Sequence, residues 1–306
     1  MTHRDKEVRI HIGAHKTATT HLQDTLCAIR DELSAQGIHY IPRHVGRRKI
    51  AALIGTQPRK KIVSLLHCIS WRRYIEKRLF ADAKDSDVIL VSEENILGGQ
   101  SAACSCKPYP DINKRLGFVR DLAEEFSVTV YLSIRSFDRV LPGAYVTGLR
   151  FHPRKAILAK SSLLTDLDEG RLPSWVGVIE RIKLELPKAT LRVWTQEAYR
   201  NNSNQVIHEI LGGQVEIDIP MIRPPEVTRT PSREAVAEVE ELVAGMRRRP
   251  RDWTRICNEI YVSKPAGSEQ DRYTFLTPSQ ISRLQESYKE DLELIRARWP
   301  EMIIDP

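Results

Sequence analysis

The sequence predicts an α/β fold, a central and mainly parallel sheet flanked by helices, continued by a helical carboxyl-terminal lobe. Three observations predict it. Short β-branched runs alternate with stretches of helical periodicity through the first two thirds of the chain. The runs at Val88–Val91 and Val128–Ile134 are apolar almost without interruption, as strands buried on both faces are. From about residue 218 the texture changes to a Pro-rich segment followed by helical patterns only.

The first strand is the alternation of Val8, Ile10 and Ile12, closed by Gly13, where the chain can turn tightly. A helix starts near Thr20, with Leu22, Leu26, Ile29 and Leu33 at helical spacing and Gly37 as its stop. Ile38–Ile41 reads as a short second strand before Pro42. Residues 43–84 are basic and helix-prone, with apolar clusters at Ile62–Leu66 and Trp71–Phe80. After the strand at 88–91 come Ser92-Glu93-Glu94-Asn95, then a helix marked by Leu116, Val119, Leu122, Ala123 and Phe126. The strand at 128–134 ends at Arg135 and is followed by a helix through Val140, Leu141, Ala144 and Tyr145, with Pro142 expected near its first turn. Further on, Trp175–Ile182 is a helix, Leu191–Trp194 a strand, and Val206–Leu211 a helix closed by Gly212-Gly213. Helices over Arg233–Met246 and Pro278–Trp299 follow. No repeat or long linker separates these parts, so a single domain over 1–306 is expected, with 1–217 as its α/β core and 218–306 as its helical lobe.

Composition narrows the function classes. The chain has 306 residues with a formal net charge of +7, 41% hydrophobic and 28% charged, which excludes a disordered, collagen-like or disulfide-stapled chain. No stretch approaches the ~20 apolar residues of a membrane helix, and a cytoplasmic location is expected. Five cysteines are read as free thiols, since Cys104-Ser105-Cys106 has no further ligands nearby at metal-site spacing. Asn201-Asn202-Ser203 matches a glycosylation acceptor, without consequence where there is no export signal. The positive balance suggests an anionic partner.

The turn after the first strand suggests which kind of anion. Gly13-Ala14-His15-Lys16-Thr17-Ala18-Thr19-Thr20 joins a strand to a helix with one glycine, small and hydroxylated residues and a lysine. Backbone N–H groups at a helix start together with a mobile positive charge make a phosphate cradle. The plainer alternative is that Thr19 or Thr20 caps the helix. In an open parallel sheet the turns after Ile12, Val91 and Ile134 converge outside the strands' carboxyl ends, which places Glu93, Glu94 and Arg135 near the same crevice. A guanidinium at a strand end suits bidentate contact with phosphate, although Arg135 could also pair with Asp138 as a solvated charge.

The loop is not the G-x-x-x-x-G-K-[ST] pattern of nucleoside triphosphatases, because Lys16 follows Gly13 by three residues. HIGAHKTATTHLQ instead resembles the 5′-phosphosulfate loop of the sulfotransferase family, G-x-x-K-[ST]-G-[TS]-[TS]. The resemblance departs at Ala18, where glycine is common; alanine is small enough to keep the helix start. YLSIRSFDRVLPGAYVTGLR is similar to the family's 3′-phosphate element, with Arg135 at the arginine position, Tyr145 at the tyrosine position and Gly143 where a serine is expected. VILVSEENIL resembles the family's third-strand turn, and FLTPSQISRLQESYKEDLELIRARWP its carboxyl-terminal helix in bacterial, carbohydrate-type members.

The resemblance implies a three-layer, P-loop-like fold and transfer of a sulfuryl group from 3′-phosphoadenosine-5′-phosphosulfate (PAPS) to a hydroxyl or amine, with a carbohydrate as the favoured acceptor. Lys16, Thr17, Ala18, Thr19, Thr20, Arg135 and Tyr145 would bind the donor. Lys16 and Glu94 would be catalytic, with Glu93 or His15 as alternative bases and no metal required. Arg247-Arg248-Arg249-Pro250-Arg251 beside Trp253 is either solvated surface or a grip on an anionic partner. Two rival classes remain: a P-loop nucleotide kinase or ATPase, and a non-enzymatic basic module binding an acidic polymer. Nucleic acid is not the expected partner, since only residues 247–255 hint at the interleaved aromatics it requires.

Overall fold

The computed structural model of the chain describes residues 6–55, 73–75, 77–83, 86–213, 217–222 and 230–305. Its centre is a five-stranded sheet in the order β2-β3-β1-β4-β5, where β1 is Glu7–His11, β2 Ile38–Ile41, β3 Val88–Ser92, β4 Ser127–Ile134 and β5 Thr190–Thr195. All four pairings are parallel, with Ile10 opposite Val91 on one side and Val130 on the other. The alternation of strand and helix requires this, because parallel neighbours must be joined by crossovers.

Side chains pointing to opposite faces of the strands enter two separate cores. Ile10, Ile89, Val91, Val130 and Leu132 belong to one cluster, packed with the helices Gly117–Ala123, Phe137–Phe151 and Trp175–Glu185. Leu90, Tyr131 and Trp194 belong to the other, covered by Leu22 and Leu26 of the helix Thr19–Ala28 and by Val206, Ile207 and Ile210 of the helix Ser203–Ile210. Helices therefore lie on both faces, and the double burial explains the uninterrupted apolar character of β3 and β4. Ala235, Val239, Trp253, Tyr261, Leu284 and Ile295 of the carboxyl-terminal helices join the first cluster, so these helices share the core of one sheet face.

Three details differ from the sequence expectations. The helix after β1 ends at Ala28 and a second begins at Arg30, with Ile29 at φ −98° and ψ 19° between them. Pro142 is the sixth residue of its helix rather than a first-turn residue, and Gly143 follows it. Two further helices, Pro153–Asp168 and Trp253–Ser263, add to those expected; the first begins with proline at its entry, and the second carries Trp253, Ile256, Cys257, Ile260 and Tyr261 at helical spacing. The apolar cluster Ile62–Leu66 and part of Trp71–Phe80 lie outside the described residues, as does part of the Pro-rich segment after residue 218. No helix among the described residues is long and apolar enough to cross a membrane.

Candidate functional site

The chain leaves β1 toward β2 and β3 on one side and crosses after β3 to β4 on the other. This topological reversal lies beside β1, where open α/β sheets form their ligand crevice. The turn there is fixed by backbone. The Ala14 amide donates to the Ser133 carbonyl and the Ser133 amide to the Gly13 carbonyl, each at 2.7 Å, so the β4 ladder continues into the turn. Gly13 has φ 90°, and a Cβ on it would lie 2.9 Å from Cβ of Glu94, so only glycine lets the turn pass the end of β3.

Lys16 and Ala18 both take left-handed conformations, at φ 67° and 65°. Such conformations alternating with right-handed ones aim successive amides at one point, an arrangement suited to an anion. Ala18 is the N-cap of the helix Thr19–Ala28, and no side chain caps it. The Thr19 hydroxyl donates instead to the Ala14 carbonyl at 3.3 Å, and the amides of the first turn keep their capacity for an anion. Capping therefore does not account for the threonines. Nor is alanine at position 18 as mild as its size suggests, because a Cβ in this conformation costs on the order of 1–2 kcal/mol relative to glycine.

Lys16 is half-buried, and its stem crosses the helix Phe137–Phe151 at Gly143, where a Cβ would lie 3.1 Å from its Cγ and Cδ. Its ammonium is pushed down to about 8, first by burial and then by the like charge of Arg150, with Arg135 adding to the repulsion and Glu94 opposing it. Arg135, at the end of β4, donates from Nη1 to the Lys16 carbonyl at 3.2 Å, while its own carbonyl accepts from Trp175 Nε1 at 2.7 Å. Its Nε is buried without a partner, and no ion pair holds it among the described residues. Arg150 was not evident from the sequence. It is seven residues beyond Gly143 and so, at about 100° per residue, on the same helix stripe; that spacing is the one signal that could have found it.

The candidate bases separate cleanly. Glu93 is fully buried and committed: its carboxylate accepts from the Asn95 amide at 2.9 Å and from the Asn95 side chain, and pairs with Arg47 at 3.1 Å. His15 is fully buried, its Nδ1 3.1 Å from the Tyr109 hydroxyl and its ring stacked on Tyr109 at 5.8 Å. Burial holds the imidazole below its ordinary range, and the side chain of Asn95 approaches it without completing a hydrogen bond to Nε2. Glu94 is half-buried, lies against Gly13, and has no hydrogen bond or ion pair among the described residues. It is the carboxylate of the two that the structure leaves without such a partner.

Beneath the turn runs a chain of hydrogen bonds across the three central strands. Gln23 Nε2 approaches Ser92 Oγ at 3.3 Å, Ser92 Oγ is 2.8 Å from His11 Nδ1, and His11 Nε2 is 3.2 Å from Ser133 Oγ, which contacts Thr17 Oγ1. Thr17 donates its proton to the Ala14 carbonyl at 2.7 Å. The direction of every bond follows from that end: Ser133 donates to Thr17, His11 Nε2–H to Ser133, Ser92 to His11 Nδ1, and Gln23 to Ser92. Burial pushes His11 down to about 3, so the ring stays neutral and fits one donor and one acceptor. The Thr17 hydroxyl is thus directed into the protein, and Thr17 offers the crevice its backbone alone.

Lys16, Ala18, Thr19, Thr20, Arg135 and Glu94 lie on or beside the turn 13–20, Thr19 like Thr17 with its hydroxyl on the Ala14 carbonyl, whereas Tyr145 is directed elsewhere. Two residues beyond Gly143, it faces roughly the opposite side of the helix. Its buried hydroxyl donates to Glu240, to which Lys160 also donates at 2.7 Å and Tyr273 at 3.2 Å. Arg247, Arg248, Arg249 and Arg251 are exposed, and Arg249 donates to the Phe151 carbonyl. Cys104 and Cys106 are free thiols near backbone carbonyls. The Asn202 side chain caps the helix Ser203–Ile210, accepting from the Gln205 amide at 3.3 Å.

Chemically, the crevice offers uncapped amides, three cations with buried or half-buried heads and one carboxylate without a hydrogen bond or ion pair among the described residues, groups of the kind that suit a polyanion. Among the described residues no group of three or more His, Cys, Asp or Glu side chains could hold a metal ion. Comparison with family models, curated proteins and solved structures found no match for the chain.

Proposed function

We propose that the chain is a P-loop-like sulfotransferase that takes a sulfuryl group from PAPS and passes it to an acceptor hydroxyl, with a carbohydrate as the favoured class of acceptor and the cytoplasm as its compartment. The observation that carries this reading is the turn 13–20 itself: an uncapped helix start with two left-handed residues, a lysine among them whose stem lies against Gly143, and Arg135 of the neighbouring strand bonded to the Lys16 carbonyl. The residues fit the donor, because Nε of Arg135 is buried without a partner beside an anion cradle. The turn's amides and Lys16 would hold a 5′-phosphate group, and Arg135 a 3′-phosphate. When bound, the donor supplies a sulfuryl group activated by its phosphate anhydride bond.

The protein's part is positioning and charge. Lys16 and the first-turn amides neutralise the negative charge that grows on the leaving phosphate oxygen, as preorganised donors do in phosphoryl transfer. Glu94 accepts the proton of the acceptor hydroxyl as its oxygen forms the new bond to sulfur and the bond from sulfur to the phosphate oxygen breaks. Calorimetry tests the reading directly. The donor product 3′-phosphoadenosine-5′-phosphate should bind tightly and ATP·Mg²⁺ weakly, and Lys16→Ala should abolish transfer of labelled sulfate to a saccharide panel. Tight ATP binding without binding of the 3′-phosphorylated nucleotide would favour the kinase reading instead.

A further inference from the structure

One stripe of the helix Phe137–Phe151 faces the turn after β1. Gly143 lies on it against the Lys16 stem, and Arg150 lies on the same stripe about two helical turns later. Arg150 is held in place rather than free in solvent. Its Cζ sits 5.2 Å from the centroid of the Tyr261 ring, and its carbonyl and that of Leu149 accept from Thr254 and Trp253 at 3.4 and 2.8 Å, all three partners belonging to the helix Trp253–Ser263. Its Nε is buried without a partner, and among the described residues no carboxylate pairs with it. Of the charges acting on the Lys16 ammonium, that of Arg150 is the strongest. A guanidinium partly removed from water, on the helix stripe that carries the lysine stem and given no acid, is unfavourable by itself and becomes favourable once an anion joins the two cations.

We propose that Arg150 is a binding residue for the anion seated on the turn 13–20, its guanidinium and the Lys16 ammonium gripping one phosphate- or sulfate-type group from two sides, with Gly143 as the gap through which the lysine stem reaches it. The inference rests on the reading of the turn as an anion cradle and is independent of the identity of the reaction. It also gives Gly143 a purpose: a side chain there would push the lysine stem away from the shared anion.

The test is calorimetric titration of the full-length wild type, Arg150→Gln and Arg150→Lys with inorganic pyrophosphate and, separately, with 3′-phosphoadenosine-5′-phosphate. Arg150→Gln should weaken both on the order of 10–100-fold, the range of a charge-assisted contact, and Arg150→Lys, which keeps the charge and loses the fork, about 3–10-fold. A second readout separates this from a structural role. Of the groups facing Lys16, which are Arg150, Arg135, Glu94 and the neighbouring His15, glutamine removes only the strongest repulsion, so the pH above which binding weakens should move upward. A folded Arg150→Gln that binds both anions as the wild type does would overturn the inference, as would a wild type that binds neither. If glutamine prevents folding, the lysine variant decides, and unchanged affinity there overturns it. Binding of pyrophosphate that depends on Arg150, without binding of the nucleotide, would uphold the inference and remove the PAPS reading. Nucleotide binding indifferent to Arg150 would do the reverse.

Discussion

Lys16 should make anion binding fall with pH in a range where lysines ordinarily do not titrate. Its ammonium is pushed from 10.5 down to about 8 by burial and by Arg150, so the free protein loses this proton between pH 7 and 9. A bound anion favours the charged form and raises the value, so above pH 8 binding takes up a proton and weakens as pH rises. With a value of about 8, the protonated fraction falls from roughly 0.9 at pH 7 to roughly 0.1 at pH 9, and affinity for 3′-phosphoadenosine-5′-phosphate should fall about tenfold. An unperturbed lysine would give a change of only about 3% over the same interval. The ligand's phosphates, with second ionisations near 6, are already charged and contribute little. Calorimetry at pH 7, 8 and 9, in paired buffers of different ionisation enthalpy, measures both the affinity and the proton taken up. Lys16→Arg, charged throughout, should flatten the profile. Constant affinity from pH 7 to 9, or a profile that survives Lys16→Arg, would refute the reasoning.

Four further outcomes follow from the same geometry. Gly13→Ala places a Cβ 2.9 Å from Glu94 Cβ and 3.1 Å from its Cα at a positive φ; a loss of about 2–4 kcal/mol should appear as a lower urea midpoint. Glu94→Gln should lower turnover by roughly 10²–10⁴-fold with donor-product affinity within about twofold of wild type, while Glu93→Gln, which weakens the buried carboxylate's bonds to Asn95 and to the exposed Arg47, should lower stability by about 1–3 kcal/mol in denaturant titrations. Tyr145→Phe removes a donor to Glu240 and should reduce stability by about 1–2 kcal/mol while leaving nucleotide affinity unchanged; a tenfold loss of affinity would return Tyr145 to the donor site.

The parts of this molecule that were legible in the sequence are those fixed by local pattern. The buried runs at 88–91 and 128–134 announce strands because both faces are covered, and the strand ends then place Lys16, Glu94 and Arg135 in one crevice by topology alone. What was not legible depends on direction. Tyr145 and Gly143 are two residues apart and face opposite ways, which only the helix's rotation about its axis decides. Arg150 is far from Lys16 in sequence, and only its seven-residue spacing from Gly143 marks it. The left-handed geometry of Ala18 is hidden because its small size suggests tolerance, whereas its φ is what glycine would relieve. Likewise Glu93 and Glu94 are chemically identical neighbours, separated only by which one Asn95 and Arg47 engage.

The hydrogen-bonded chain from Gln23 to Ala14 behaves like a thread of ice. Each hydroxyl has one proton to give, the imidazole has one, and the terminal carbonyl can only receive, so no member can turn over alone without leaving a neighbour unmatched. Proton order in this thread fixes the rotor of Thr17 before any ligand arrives. The floor of the crevice is therefore frozen, and the adaptability needed for an acceptor must come from its walls. The tautomer it imposes on His11 has a distinct nitrogen chemical-shift signature, which makes that ring a silent internal reporter: it should not change when the crevice fills.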